Sequence, residues 1–356
     1  MPLTLLFSDR FRDHLPPPGH PERPERADVM HVIAGEHRRR GGPVREPRPA
    51  GLPDLLRVHD RTYIDAIAAT AGRALALDAD TFTSPDTSDV ARLAAGAAIE
   101  AVDLVLDGPA DTRALALVRP PGHHAGRAAA SGFCLFNNVA IAAAHARARG
   151  VSRVAIVDYD VHHGNGTQAC FEDDPDVLFM SLHQWPYYPG TGAADEIGRG
   201  AGRGHTINLP IAAGATGADY DWLFARVVVP VLRQYRPGLV LLSAGFDAHR
   251  DDPLGGMRLD GEAFGRLTAR LVAEARACCE GRLVAVTEGG YDLPGLTDSL
   301  RHVVAALDAA PAGGTAQGAV GASTSDDGPT ADAPVPARGQ RTLAAVAPGL
   351  AAFWTL

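Results

Sequence analysis

The sequence predicts an α/β fold: one domain built on a central, mostly parallel sheet with helices on its faces. Three observations lead there. Six apolar runs of four or five residues have the length of buried strands: LTLLF at Leu3, ALALV at Ala114, VAIV at Val154, VLFM at Val177, LVLL at Leu239 and LVAV at Leu283. Ala- and Leu-rich stretches with helical spacing lie between them, and strands alternating with helices make a parallel sheet. Polar and titratable residues then gather directly after the runs, where an open parallel sheet binds its ligands.

The opening MPLTLLFSDRFRDH has no basic region, and its apolar run is too short for a secretory leader, so LTLLF reads as the first strand. ARLAAGAAIEAVDLVL from Ala91 and FNNVAIAAAHARARG from Phe136 read as helices on either side of ALALV. No run reaches membrane-spanning length, so a cytoplasmic protein without membrane contact is expected. Residues 1–310 form the expected catalytic domain. Residues 311–341, rich in Gly, Ala, Pro, Ser and Thr, lack the apolar content to pack and are expected to be a disordered loop. Residues 342–356 regain apolar character and are expected to dock as a last helix, with Phe353 and Trp354 as packing residues.

All 33 basic residues of the 356 are arginine, and the 42 acidic residues bring the net charge to −9. That balance disfavours a nucleic-acid-binding surface and suits a cationic substrate. Four cysteines without a CxxC spacing exclude a disulfide framework and a thiolate zinc site.

Five of the strand ends carry chemistry. ALALV leads into RPPGHHAG, with His123 and His124. VAIV leads into Asp158, Asp160, His162 and His163, and VLFM into Ser181, Leu182 and His183. LVLL leads into SAGFDAH with Asp247, and LVAV into TEGGYDL with Tyr291. A lone aspartate after a strand is most often a helix cap, and the DYDVHHG acids alone fit a buried hydrogen-bond network. Five such clusters at one sheet edge do not arise from those causes. Carboxylate and imidazole without thiolate suit zinc. In an extended DxDxH segment Asp158, Asp160 and His162 project to one side, and Asp247 completes a three-residue site with a position open for water and substrate. The histidine pair and Tyr291 then offer a base, a second proton carrier and an oxyanion donor, which is equipment for metal-assisted hydrolysis of a carbonyl compound.

RPPGHHA, GFCLFNNVAIA, DYDVHHGNGTQ, SLHQWPYYPGTG, NLP, SAGFDAH and EGGYDL, together with GHPERPER at Gly19 and VHDRTYIDAI at Val58, resemble the zinc-dependent histone deacetylase and acetylpolyamine amidohydrolase family. The resemblance runs from Gly19 to Tyr291 and implies the single-domain arginase/deacetylase fold. It implies Asp160, His162 and Asp247 as zinc ligands, His123 and His124 as the tandem active-site histidines, and Tyr291 as the residue polarising the acyl carbonyl. Asp158 then stands behind His123, and Asn165 behind His124, where many class I members carry an aspartate. Gly132, Phe133, Tyr188 and Leu254 match the tunnel wall, and Arg26 matches a basic residue near its floor. A structural potassium ion would use Asp158, Asp160, His162, Ser181 and Leu182.

The implied activity is removal of acetyl or other acyl groups from lysine side chains, with an acetylated polyamine or small acylated metabolite as the other substrate. Leu254 replaces the glutamate of the dedicated eukaryotic polyamine deacetylase, which favours the peptide. Tyr291, absent from the weakly active class IIa enzymes, argues for a competent enzyme over a silent acyl-lysine reader. An arginase-like site with two manganese ions would need more carboxylates than HHGNG supplies. The rim acids Asp80 and Asp86 are candidates to grip substrate, and a homo-oligomer is compatible with the resemblance.

Overall fold

A computed structural model describes residues 3–310 and 336–356. Ten strands are present among them: β1 (Thr4–Leu6), β2 (Val44–Arg45), β3 (Leu75–Ala76), β4 (Phe82–Thr83), β5 (Arg113–Ala116), β6 (Val154–Asp158), β7 (Val177–Gln184), β8 (Thr206–Ile211), β9 (Leu239–Ala244) and β10 (Leu283–Thr287). Eight form one sheet in the order β2-β1-β5-β10-β9-β6-β7-β8, and every pairing in it is parallel. β3 and β4 make a small antiparallel pair.

The inner strands β5, β6, β9 and β10 are buried at every residue. That is why they read as unbroken apolar runs and not as alternating ones. The helix Thr87–Asp107 buries a face of small residues, Ala91, Ala94, Ala95, Ala98 and Ala101 among them. Gly96 lies so close to the main chain of Arg48 that a methyl group would fall 1.8 Å from its carbonyl oxygen. The helix Asn138–Ala148 starts where the Asn137 side chain accepts a hydrogen bond from Ala140 N at 2.9 Å.

The sheet has two strands that the apolar runs did not reveal. β2 is two residues long, and β8 carries Asn208 and Pro210, which interrupt the apolar pattern. Proline is tolerated in β8 because that strand closes one edge of the sheet. The helix Ala337–Leu350 packs against this edge, with Thr342 Oγ1 donating to Pro210 O at 2.8 Å. The helix therefore begins at Ala337, before the expected residue 342, and residues 336–341 belong with it and not with a loop. The rest of the expected loop, 311–335, lies outside the described residues. None of the described helices is long and apolar enough to cross a membrane.

Candidate active site

The five sequence clusters lie at or just beyond the carboxyl ends of β5, β10, β9, β6 and β7, which are consecutive in the sheet. Those carboxyl ends therefore share one stretch of edge. Ser181, Leu182 and His183 are still inside β7, which runs on to Gln184 instead of ending with VLFM. The DxDxH expectation needs one correction here. The extended segment stops at Asp158, which is the last residue of β6. Beyond it the chain turns, with Asp158 Oδ1 accepting from Asp160 N (3.1 Å) and Asp160 Oδ1 from His162 N (2.9 Å). Asp158 consequently faces His123, while Asp160 and His162 meet Asp247 from the end of β9.

Asp160, His162 and Asp247 are all buried, and one ligand atom from each lies within 4.8 Å of the other two. His162 Nδ1 is 3.0 Å from Asp247 Oδ2 and 3.2 Å from Asp160 Oδ1. The second oxygens are occupied by the main chain: Val161 N donates to Asp247 Oδ1 (2.8 Å) and Gly289 N to Asp160 Oδ2 (2.8 Å). Gly289 is required by space, since a Cβ there would sit 2.2 Å from Asp247 Oδ2. Burial, then the neighbouring charge of Asp160, pushes the Asp247 carboxyl up to about 7. Burial alone would depress His162, but Asp247 and Asp160 outweigh it and raise its pKa well above the usual value. Two buried carboxylates converging on one imidazole nitrogen fit a divalent cation of the zinc type.

The His123 and His124 rings lie with centroids 4.0 Å apart and their planes tilted by 47°, yet their environments differ. His123 Nδ1 bonds Asp158 Oδ2 at 2.9 Å. Burial opposes its charge, but Asp160 and Asp158 together raise its pKa to about 10. His124 Nδ1 bonds the neutral Asn165 Oδ1 at 2.7 Å. Burial, reinforced by His123 and His162, holds His124 well below the usual value. One histidine is thus kept charged and its neighbour neutral, an arrangement that separates acid and base duties.

A cavity of about 190 Å³ opens onto this centre, lined by Gly132, Phe133, Tyr188, Leu254 and Tyr291, with His124 and His162 at its inner end. Gly132 and Phe133 both have positive φ, +54° and +68°. A side chain on Gly132 would meet the His124 ring at 2.4 Å, so only glycine fits. Phe133 tolerates a conformation costing about 1–3 kcal/mol, and its ring stands edge-on to Tyr291 at 5.7 Å.

Arg26 does not line this cavity. It is fully buried behind Tyr291, with its guanidinium 5.1 Å from the ring centroid and its Nε donating to Gly290 O at 2.7 Å. Ser181 and Leu182 lie inside β7, and register places Ser181 beside Asp158. Asp80 lines the cavity mouth, whereas Asp86 sits at the start of the helix Thr87–Asp107.

Three residues escaped sequence reasoning. Tyr187 stacks on His162 with centroids 5.6 Å apart; the paired tyrosines of WPYYPG were the available signal. Glu288 is fully buried and accepts from Gly122 N (2.7 Å), His123 N (3.1 Å) and Ser243 Oγ (3.1 Å). Burial pushes its carboxyl up to about 7. Glu22 is fully buried and bonds Arg26 (2.9 Å) and Arg119 (2.7 Å), carrying the GHPERPER segment against the RPPG loop.

The histone deacetylase domain profile matches residues 20–307. The chain belongs to the histone deacetylase family. Membership makes it a deacetylase-class hydrolase, as the motifs implied. A histone deacetylase-like amidohydrolase of Pseudomonas aeruginosa is 43% identical over 281 residues, 77% of this chain and 73% of that one. The polyamine deacetylase HDAC10 of Homo sapiens is 43% identical over 310 residues, 82% of this chain and 45% of that one. A solved structure of the HDA15 HD domain superposes with a TM-score of 0.86 at 33% identity, covering 99% of this chain and 96% of that one. That likeness bears out the expected α/β fold.

Proposed function

We propose that the protein removes acetyl groups from lysine side chains of peptides or proteins, using one zinc ion held by Asp160, His162 and Asp247. The observation that carries this is the convergence of that buried set with a neutral His124 and a buried Tyr291 at the inner end of a narrow, aromatic-walled cavity. When bound, zinc supplies a Lewis acid that polarises the acyl carbonyl and makes water acidic enough to attack near pH 7.

The chain's own residues do the rest. Asn165 Oδ1 accepts from His124 Nδ1, which leaves Nε2 free to take the proton of the attacking water. His123, whose pKa Asp160 and Asp158 together raise, keeps positive charge beside the reacting centre, and one of the two histidines returns a proton to the leaving amine. The Tyr291 hydroxyl donates to the oxygen that gains charge; burial raises its pKa well above the usual value, so it stays protonated. Phe133, Tyr187 and Tyr188 flank the aliphatic stem and exclude water, and Asp80 offers an acceptor at the mouth.

Leu254 gives the wall an uncharged side chain, which favours a peptide over a polyamine. A potassium ion on Asp158 and Asp160 with the main chain of His162, Ser181 and Leu182 would brace the β6–β7 ends. The register that puts Asp158 beside Ser181 supports that assignment. The deciding experiment compares kcat/KM of the zinc-loaded protein for an acetyl-lysine peptide and for acetylspermidine. A preference for the peptide supports the proposal, and a preference for acetylspermidine moves the assignment to small cationic amines. Turnover of neither refutes it. Metal content after purification must be one zinc per chain.

A further inference from the structure

Beside the tunnel lies a second cavity, of about 500 Å³, walled by the proline-rich segment around Pro16, Pro18 and Pro21 and by Pro253. Leu254 and Tyr291 line both cavities. These two side chains are therefore the partition between the tunnel and its larger neighbour.

Neither residue belongs to a strand or helix, so no ladder holds it in place. Both hang from one side chain. Asp252 is 6% exposed; its Oδ1 accepts from Leu254 N at 2.9 Å, and its Oδ2 accepts from Tyr291 N at 2.6 Å and from Asp292 N at 3.1 Å. Asp292 in turn caps the helix Leu293–Asp308, accepting from Gly295 N at 2.7 Å. One carboxylate thus fastens the loop after β9 to the segment after β10, 39 residues apart. Three N–H donors compensate its burial, and charge-assisted bonds of this kind are stronger than neutral ones.

We propose that Asp252 is a positioning and specificity-determining residue that holds the Leu254–Tyr291 partition, fixing both the aim of the Tyr291 hydroxyl and the largest acyl group the tunnel admits. The proposal rests on the reading of Tyr291 as oxyanion donor. Its consequence is geometric. A shift of about 1 Å in a catalytic group can cost about a hundredfold, and a gap opened between Leu254 and Tyr291, which line both cavities, joins the tunnel to the 500 Å³ cavity. An asparagine cannot replace the aspartate, because both carboxylate oxygens face N–H donors and an amide presents only one acceptor.

The test is a double-mutant cycle of Asp252→Asn with Tyr291→Phe, repeated with Asp252→Glu. kcat and KM are measured on acetyl-, butyryl- and hexanoyl-lysine peptides, and zinc content and Tm on every variant. The expected result is a kcat for the acetyl peptide lower by about ten- to a hundredfold, with zinc retained and the hexanoyl-to-acetyl ratio of kcat/KM raised several-fold. In the Tyr291→Phe background the Asp252 change costs at most about twofold more, because the group it places is already gone. Multiplying losses, an unchanged acyl ratio, or failure of both Asp252 variants to fold would each overturn the proposal. Wild-type turnover and the Tyr291→Phe loss are read first. If either is missing, the function proposed above fails and takes this inference with it; if both hold, the cycle judges Asp252 alone.

Discussion

Asn165→Asp probes the division of labour between the two histidines. The wild-type amide orients His124 at 2.7 Å without adding charge, while burial and the neighbouring histidines keep its pKa well below normal. A carboxylate in the same place lies about 4 Å from the imidazolium charge, an interaction of about 4 kcal/mol at an effective dielectric of about 20. At 1.36 kcal/mol per pH unit that is an upper bound of about 3 units, and access of water from the tunnel reduces it to about 1–2 units. The sign follows from the role: His124 must be neutral to accept a proton, so activity is lost as pH falls through its pKa. Raising that pKa moves the acid limb of kcat/KM to higher pH, while the rate above the limb changes little. The assay is a pH–rate profile on an acetyl-lysine peptide with zinc saturating. An acid limb that stays in place, or moves to lower pH, refutes His124 as the base.

Tyr291→Phe should lower kcat by about a hundred- to a thousandfold with KM nearly unchanged, as loss of one oxyanion donor does; steady-state kinetics checks it, and a wild-type kcat excludes the role. Asp247→Ala should purify without zinc, because one of three ligands is gone; stoichiometric zinc by elemental analysis contradicts the ligand set. Gly132→Ala should keep its zinc but lose most activity, since the new methyl must displace the His124 ring from 2.4 Å; full activity would show that the ring has room to move. Glu22→Gln should destabilise the fold by about 3–5 kcal/mol in urea denaturation, because Arg26 and Arg119 would keep buried charge without its counterion. A loss below about 1 kcal/mol would mean that the arginines find other acceptors.

Much of the site was legible because of a property of parallel sheets. Interior strands appear as short apolar runs, and functional groups follow their carboxyl ends, so His123, Asp160, Asp247 and Tyr291 each stood out against an apolar background. Asp252 and Glu22 had no such signal, and Glu288, the first residue after β10, sits in TEGGYDL with nothing to separate it from a capping acid. They act as acceptors for main-chain N–H groups or for arginines distant in sequence, and in a linear reading each is one acid among 42. β8 escaped because Asn208 and Pro210 break its pattern, which only an edge position permits.

The sequence by itself determined the fold class, the family and the residues meeting at one edge of the sheet. The reason is that strand periodicity and residue chemistry are local properties of the chain. Only the tertiary structure decided which oxygen faces which nitrogen. It turned the chain after Asp158, where strand alternation would have put Asp158, Asp160 and His162 on one side, and this turn is the physical reason that Asp158 bonds His123 while Asp160 and His162 meet Asp247. It also buried Arg26 behind Tyr291, with its guanidinium 5.1 Å from the ring centroid, and hung Leu254 and Tyr291 from one buried aspartate. Such choices depend on contacts between segments tens to hundreds of residues apart, where packing and not sequence spacing sets the distances.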